Sequence, residues 1–158
     1  MPFPIPGFPP LGAPSGGGGS GGSAQPIDPN LAAAATVPLM AFGNSEAAGM
    51  QREGNIVAGH FQEGQSLEQA FTIQPGKCYT VLSVGVGIQE VDITMVAVTP
   101  IPGQSPQLGR DSATGPQASL GGRGNCIKLA MMPFAVQAKY IVTAVRGAGI
   151  AATQLYVK

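Results

Sequence analysis

The chain has 158 residues, of which Lys, Arg, Asp and Glu make up only 10%, eight basic against eight acidic, for a formal net charge of zero. Globular domains ordinarily carry about a quarter charged residues, and a nucleic-acid surface needs a basic stripe. Here the basic residues are scattered from Arg52 to Lys158, which argues against nucleic acid. The apolar stretches all fall short of the roughly 20 residues that span a bilayer, and the weak self-repulsion permits self-assembly.

Residues 1–27 divide into two low-complexity pieces. MPFPIPGFPPLGAP is Pro-rich and apolar and favours polyproline II, whereas the following SGGGGSGGS has no side chains to bury and behaves as a flexible tether. The arm reads as a spacer, or more sharply as an apolar tip in which Phe3, Ile5, Phe8 and Leu11 dock on another surface. Its opening has no basic region, and prolines interrupt its apolar runs, so it is not a signal peptide. An exported form would have lost a leader, or this chain would be a fragment.

Residues 28–54 read as a linker. Asp28 is the expected N-cap of a short helix with Pro29 at its first position, and Pro38 is expected to stop or kink it. Residues 43–54 are turn-like.

From residue 55 to 158 the texture changes to short runs of Val, Ile, Thr and Tyr punctuated by Gly and Pro. Strands are expected near 56–62, 67–73, 77–85, 88–99, 107–111, 126–131, 138–146 and 149–157. Val91, Ile93, Met95 and Ala97 fall on one face of their strand, with Glu90, Asp92 and Thr94 on the other. Tyr79 and Tyr140 each open a similar run, YTVLSVGVGIQ and YIVTAVRGAGIA, which reads as strand, Gly-x-Gly-Ile turn, strand. About eight short strands with turns between them predict an all-β, antiparallel β-sandwich, with a small barrel as the alternative.

The runs GKCYTVLSVGVGIQEVDITMVAV and AKYIVTAVRGAGIAATQLYV, about half the chain, resemble the bacterial pre-peptidase C-terminal type of jelly-roll domain. Gly76, Asp92 and Tyr140 occupy places comparable to that family's turn glycine, Asp-bearing strand and final hairpin. The resemblance implies a jelly-roll-like fold and a secreted, non-catalytic accessory domain, although this chain has no protease attached and two cysteines that the pattern does not require.

Those cysteines, Cys78 and Cys126, read as one disulfide or as two buried thiols; low charge with many Gly, Ser and Thr suits an exported protein and favours the disulfide. His60 is the only histidine, which removes most metal and imidazole chemistry. No serine lies in a Gly-x-Ser-x-Gly elbow, the nearest strings being GQSLE at Ser66 and GQSPQ at Ser105. Glu90 and Asp92 share a strand face, which for two acids is ordinarily a solvated edge rather than an acid–base pair. With Asp111 they form the nearest approach to a calcium set, without a DxDxDG loop, and neither a metal nor a cofactor is expected. LGGRGNC reads as a surface loop held by Cys126, and MMPF at 131–134 as core or as an adaptable apolar contact. Arg123 and Arg146 are the expected polar interface contacts.

The sequence therefore predicts a non-enzymatic structural subunit of the bacterial exterior or cell envelope, self-assembling through its arm into a filament or similar array. The alternative is a secreted accessory module that binds carbohydrate or peptide. The absence of Trp, on which sugar platforms depend, weighs against carbohydrate.

Overall fold

The structure is a computed structural model that describes residues 22–103, 105–111, 114–129 and 132–158. In chain order the elements are β1 (Gln25–Ile27), a 3-10 turn (Pro29–Ala32), α1 (Ala33–Glu46), β2 (Gln51–Phe61), β3 (Ser66–Ile73), β4 (Tyr79–Ala97), β5 (Gln107–Arg110), β6 (Gln117–Leu120) and β7 (Val136–Val157). The arm residues Phe3, Ile5, Phe8 and Leu11 lie outside the described residues.

Two strands organise everything else. β4 and β7, 19 and 22 residues long, pair antiparallel along almost their whole length. The first half of β4 and the second half of β7 carry β2, β1 and β6, whereas their other halves carry β3 and β5. One seven-stranded antiparallel sheet thus folds across itself into two layers, an all-β sandwich.

The crease is made by the repeated Gly-x-Gly-Ile strings, which are bends and not the hairpin turns expected from the sequence. Val86 pairs with Ile150 and Ile88 with Gly147, so the two strings face each other across the ladder and its register shifts there without ending. Gly87 and Gly147 have φ of 87° and 85°, which suits a bulge and costs glycine nothing. The backbones also touch at this point. A Cβ on Gly87 would stand 2.9 Å from the Ala148 carbonyl oxygen, and one on Gly149 would collide with that of Val86.

The main core fills the space between the layers. Val91, Ile93 and Met95 point into it from β4 as the alternation predicts, and Val136, Ala138, Tyr140, Val142 and Ala144 from β7, with Phe61 and Tyr79 from the opposite layer. Phe71 bridges the two buried tyrosines, its ring 5.6 Å from that of Tyr79 and 6.1 Å from that of Tyr140. Tyr79 keeps its hydroxyl satisfied in this apolar setting: it accepts from the Gln74 amide at 2.9 Å and donates to the Thr72 carbonyl at 3.3 Å. Tyr140 is buried deeply enough that desolvation pushes its phenol well above the ordinary range.

A second, smaller core lies on the outer face of the first layer, where α1 covers Ala58, Leu82, Val84, Ala152 and Tyr156 with Ala35, Leu39 and Ala47. The start of this helical segment follows the sequence: Asp28 accepts from the Asn30 amide at 2.8 Å, and Pro29 takes the first position. Its end does not, since α1 continues through Pro38 to Glu46. Proline removes one backbone hydrogen bond, and the burial of Leu39 and Gly43 just beyond it holds the helix in place. Gly43 lets α1 lie directly on Tyr156, whose hydroxyl a Cβ at that position would strike.

Two other expectations are corrected, and one strand was not expected. β2 begins at Gln51, within the stretch read as turn-like, and bulges between Glu53 and Val57, where the Gln154 side chain donates to the Glu53 and Gly54 carbonyls. The strand expected over 126–131 reduces to a single bridge between Ile127 and Tyr79, with residues 130 and 131 outside the described set. β6, four residues long and flanked by glycines, had too little apolar pattern to be read in advance.

Candidate functional site

The residues singled out in the sequence are spread over the fold. Cys78 and Cys126 are bonded, their Cα atoms 5.4 Å apart, and tie the loop after β6 to the start of β4. Beside this bond Cys78 and Lys158 exchange two backbone hydrogen bonds of 3.0 and 2.9 Å, so Lys158 is fixed at the same place. Arg123, at φ 55°, donates to the carboxylate of Glu46, which is buried at the end of α1, and its amide donates to the Glu46 carbonyl at 2.8 Å. That arginine fastens the glycine loop to the helix. Arg146 pairs with Glu90 at 3.1 Å just before the crease.

His60 is exposed on β2. Ser66 hydrogen-bonds Thr143 at 2.8 Å, and Ser105 accepts from the Gln107 amide at 3.3 Å. Neither serine is paired with His60 in these contacts. Phe134 is half exposed at the surface, and Met132 packs on the main core.

Glu90, Asp92 and Asp111 do come together where β4 meets the end of β5. Asp111 is buried; one carboxylate oxygen accepts from the Ile93 amide at 2.5 Å, and its own amide donates to the Ile93 carbonyl at 3.0 Å. Asp92 lies 3.8 Å from Arg110. Burial pushes the Asp92 carboxyl up to about 6, with the like charges of Asp111 and Glu90 adding to the effect and Arg110 opposing it. Burial likewise raises Asp111, against the Ile93 hydrogen bond. Among the described residues no group of three or more His, Cys, Asp and Glu is placed to hold a metal ion. The cluster is read better as a proton-dependent fastening of β5.

A carboxyl whose folded pKa exceeds its unfolded value of about 4 takes up a proton on folding. The cost of ionised Asp92 is therefore fully present above pH 6, declines as pH falls through that value, and is gone below about 4. Because Asp92 is partly screened by solvent, the effect is about 1 kcal/mol, or roughly 3–5 °C in melting temperature between pH 7.5 and pH 5. Thermal melts should show the protein more stable at pH 5, and Asp92→Asn should flatten the dependence. An unchanged slope in that variant would remove Asp92 as its source.

The surface that the sequence did not single out is the outer side of α1. The helix is apolar almost all round, AAATVPLMAFGNSE, yet only one side of it meets the sheet. Leu31 just before it is 74% exposed, Val37 67% and Met40 48%. Between α1 and the β4–β6 edge runs an open groove of about 520 Å³, lined by Pro38, Phe42, Val84, Val86, Pro116 and Gln117 among others, with Val86 42% exposed. Glu46, the acid among its lining residues, is already paired with Arg123. A helix of this composition is ordinarily buried on all sides, and contiguous exposed apolar surface marks a contact site.

Fold and surface together define a disulfide-bonded all-β sandwich with a helix-bordered apolar groove on its outer layer. No family model matches the chain, and no curated protein does. Among solved structures it is similar to the Aeromonas hydrophila protein PliG, a periplasmic lysozyme inhibitor of g-type lysozyme, at 17% identity and a TM-score of 0.38, over 70% of this chain and 87% of that one. A likeness at that level bears on neither activity nor partner.

Proposed function

We infer that the chain is a non-enzymatic, exported binding module that receives an extended, uncharged, apolar segment of a protein in the groove beside α1. The observation that carries the reading is the open groove between α1 and the β4–β6 edge, lined by Pro38, Phe42, Val84, Val86 and Pro116, in which Val86 stays exposed. Export is supported by the Cys78–Cys126 bond, which persists in oxidising compartments. A peptide suits the groove better than a sugar, because Phe42 is its one aromatic lining residue and the chain has no Trp. A proline-containing segment fits best, since it reaches the groove already extended and loses little entropy on docking.

Selection of 12-residue peptides displayed against the full chain tests this reading. Binders should be apolar, Pro-rich and uncharged, and should shift the backbone resonances of Phe42, Val86 and Gln117. Binders dominated by charge, or shifts confined to the opposite layer, would overturn it. The self-assembling filament has no such support among the described residues and ranks second.

A further inference from the structure

We propose that the cleft between β2 and β3 is a second binding site, independent of the groove beside α1, and that it takes a neutral hydroxylated ring, the chemistry of a single sugar residue, through the hydroxyl of Tyr140.

The cleft exists because the two layers part at this border. β2 and β3 pair with opposite halves of β7 and, among the described residues, not with each other. β1 flanks β2 only from Ala58 to His60, which leaves residues 51–57 as the border of their layer. There β2 also bulges, its register on β7 passing from Glu53 opposite Leu155 to Val57 opposite Thr153. The opening between the two borders has a volume of about 580 Å³, in the range of small-ligand sites, with Val57, Phe71, Tyr140 and Leu155 as its apolar wall.

Tyr140 gives this opening its chemistry. The residue is 2% exposed, yet its hydroxyl has no hydrogen-bond partner among the described residues, whereas that of Tyr79 beside the same Phe71 ring has two. Among the described residues the side-chain polar atoms that are both sealed from solvent and unpartnered are Asp111 Oδ2 and Ser119 Oγ. The Tyr140 hydroxyl is not one of them, so it reaches open space, and the cleft is the space that Tyr140 lines. Desolvation raises the phenol and keeps it protonated at neutral pH. A buried donor without an acceptor is costly, and folded proteins leave few of them.

Because the phenol offers a proton, its ligand must bring a lone pair. An ammonium or guanidinium group has none. An anion has lone pairs, but the lining holds no cation, and its one charged group is the carboxylate of Glu53, which forms no ion pair among the described residues. That carboxylate only accepts, so the same ligand must also donate. An alcohol does both. The exposed amides of Asn55, Gln69 and Gln74 also both donate and accept, which suits a ring bearing several hydroxyls rather than one. The C–H faces of such a ring would meet Phe71 and Leu155. Phe71 and Tyr140 together supply the aromatic surface for which the groove beside α1 has only Phe42.

Heteronuclear NMR titrations of the full chain test the proposal, with glucose, galactose, mannose and myo-inositol as probes and butylammonium and acetate as charged counterparts. At least one ring should move the backbone resonances of Asn55, Phe71 and Tyr140 with a Kd of about 1–10 mM, and neither ion should. If no ring moves them, or if either ion moves them as strongly, the proposal is overturned. Tyr140→Phe supplies the second readout. Removing a hydroxyl that the fold leaves unpartnered should lower the melting temperature by no more than about 2 °C, while ring binding weakens at least tenfold. A larger loss of stability would place the hydroxyl in a bond within the fold, and undiminished binding by the folded variant would take it out of the site. Either result overturns the proposal.

Discussion

Replacing Cys78 and Cys126 together by Ala lowers stability by about 4 kcal/mol and the melting temperature by more than 10 °C. The bond joins residues 48 positions apart, and closing a loop of that length removes much of the freedom of the unfolded chain. Its position increases the local consequence. Tyr79 next to it begins β4, exchanges backbone hydrogen bonds of 2.8 and 2.7 Å with Ile127, and is among the largest side chains in the core. Circular-dichroism melts of the double variant and of the reduced protein should agree within a few degrees. A loss of less than about 3 °C in both would mean that the ladder holds this corner without the bond.

Gly149→Ala destabilises by about 3 kcal/mol or more. The methyl group would collide with the Val86 carbonyl, a backbone atom in the paired strand that can move only if the crease opens. Because β2, β3, β5 and β6 all hang on β4 and β7, opening the crease displaces one layer against the other and exposes the main core. Ala148→Ser next to it is the control; Ala148 is exposed, and the change should stay within about 0.5 kcal/mol. Urea titrations of the two variants separate a collision at the crease from a general sensitivity of β7.

The crease also shows where the sequence misled. Gly85-Val86-Gly87-Ile88 and Gly147-Ala148-Gly149-Ile150 have the composition of turns, and one chain read by itself cannot show that the two strings face each other. A positive φ at glycine serves a bulge as well as a turn, and the choice is made by the partner strand. The alternation at Val91, Ile93 and Met95 was legible because burial on one side of a strand imposes a period of two. The cap at Asp28 was legible because it is satisfied within two residues.

The groove was hidden for the opposite reason. Pro38 and Phe42 lie more than 40 residues from Val84 and Val86, and α1 is apolar almost all round, so no periodicity distinguished its covered face from its open one. The proline read as a stop is instead part of the groove wall. Arg123 and Arg146, expected to meet a partner, form ion pairs with Glu46 and Glu90 within the chain; their acids lie 77 and 56 residues away, beyond any local pattern.

The claim that this module works through the groove beside α1 is tested most directly by calorimetric titration of one selected uncharged peptide into the full chain and into Val86→Asp. Val86 is part exposed, so the substitution should leave the melting temperature within about 2–3 °C. A charge placed in the apolar groove should weaken binding at least tenfold. Undiminished affinity in a folded Val86→Asp protein would contradict the account.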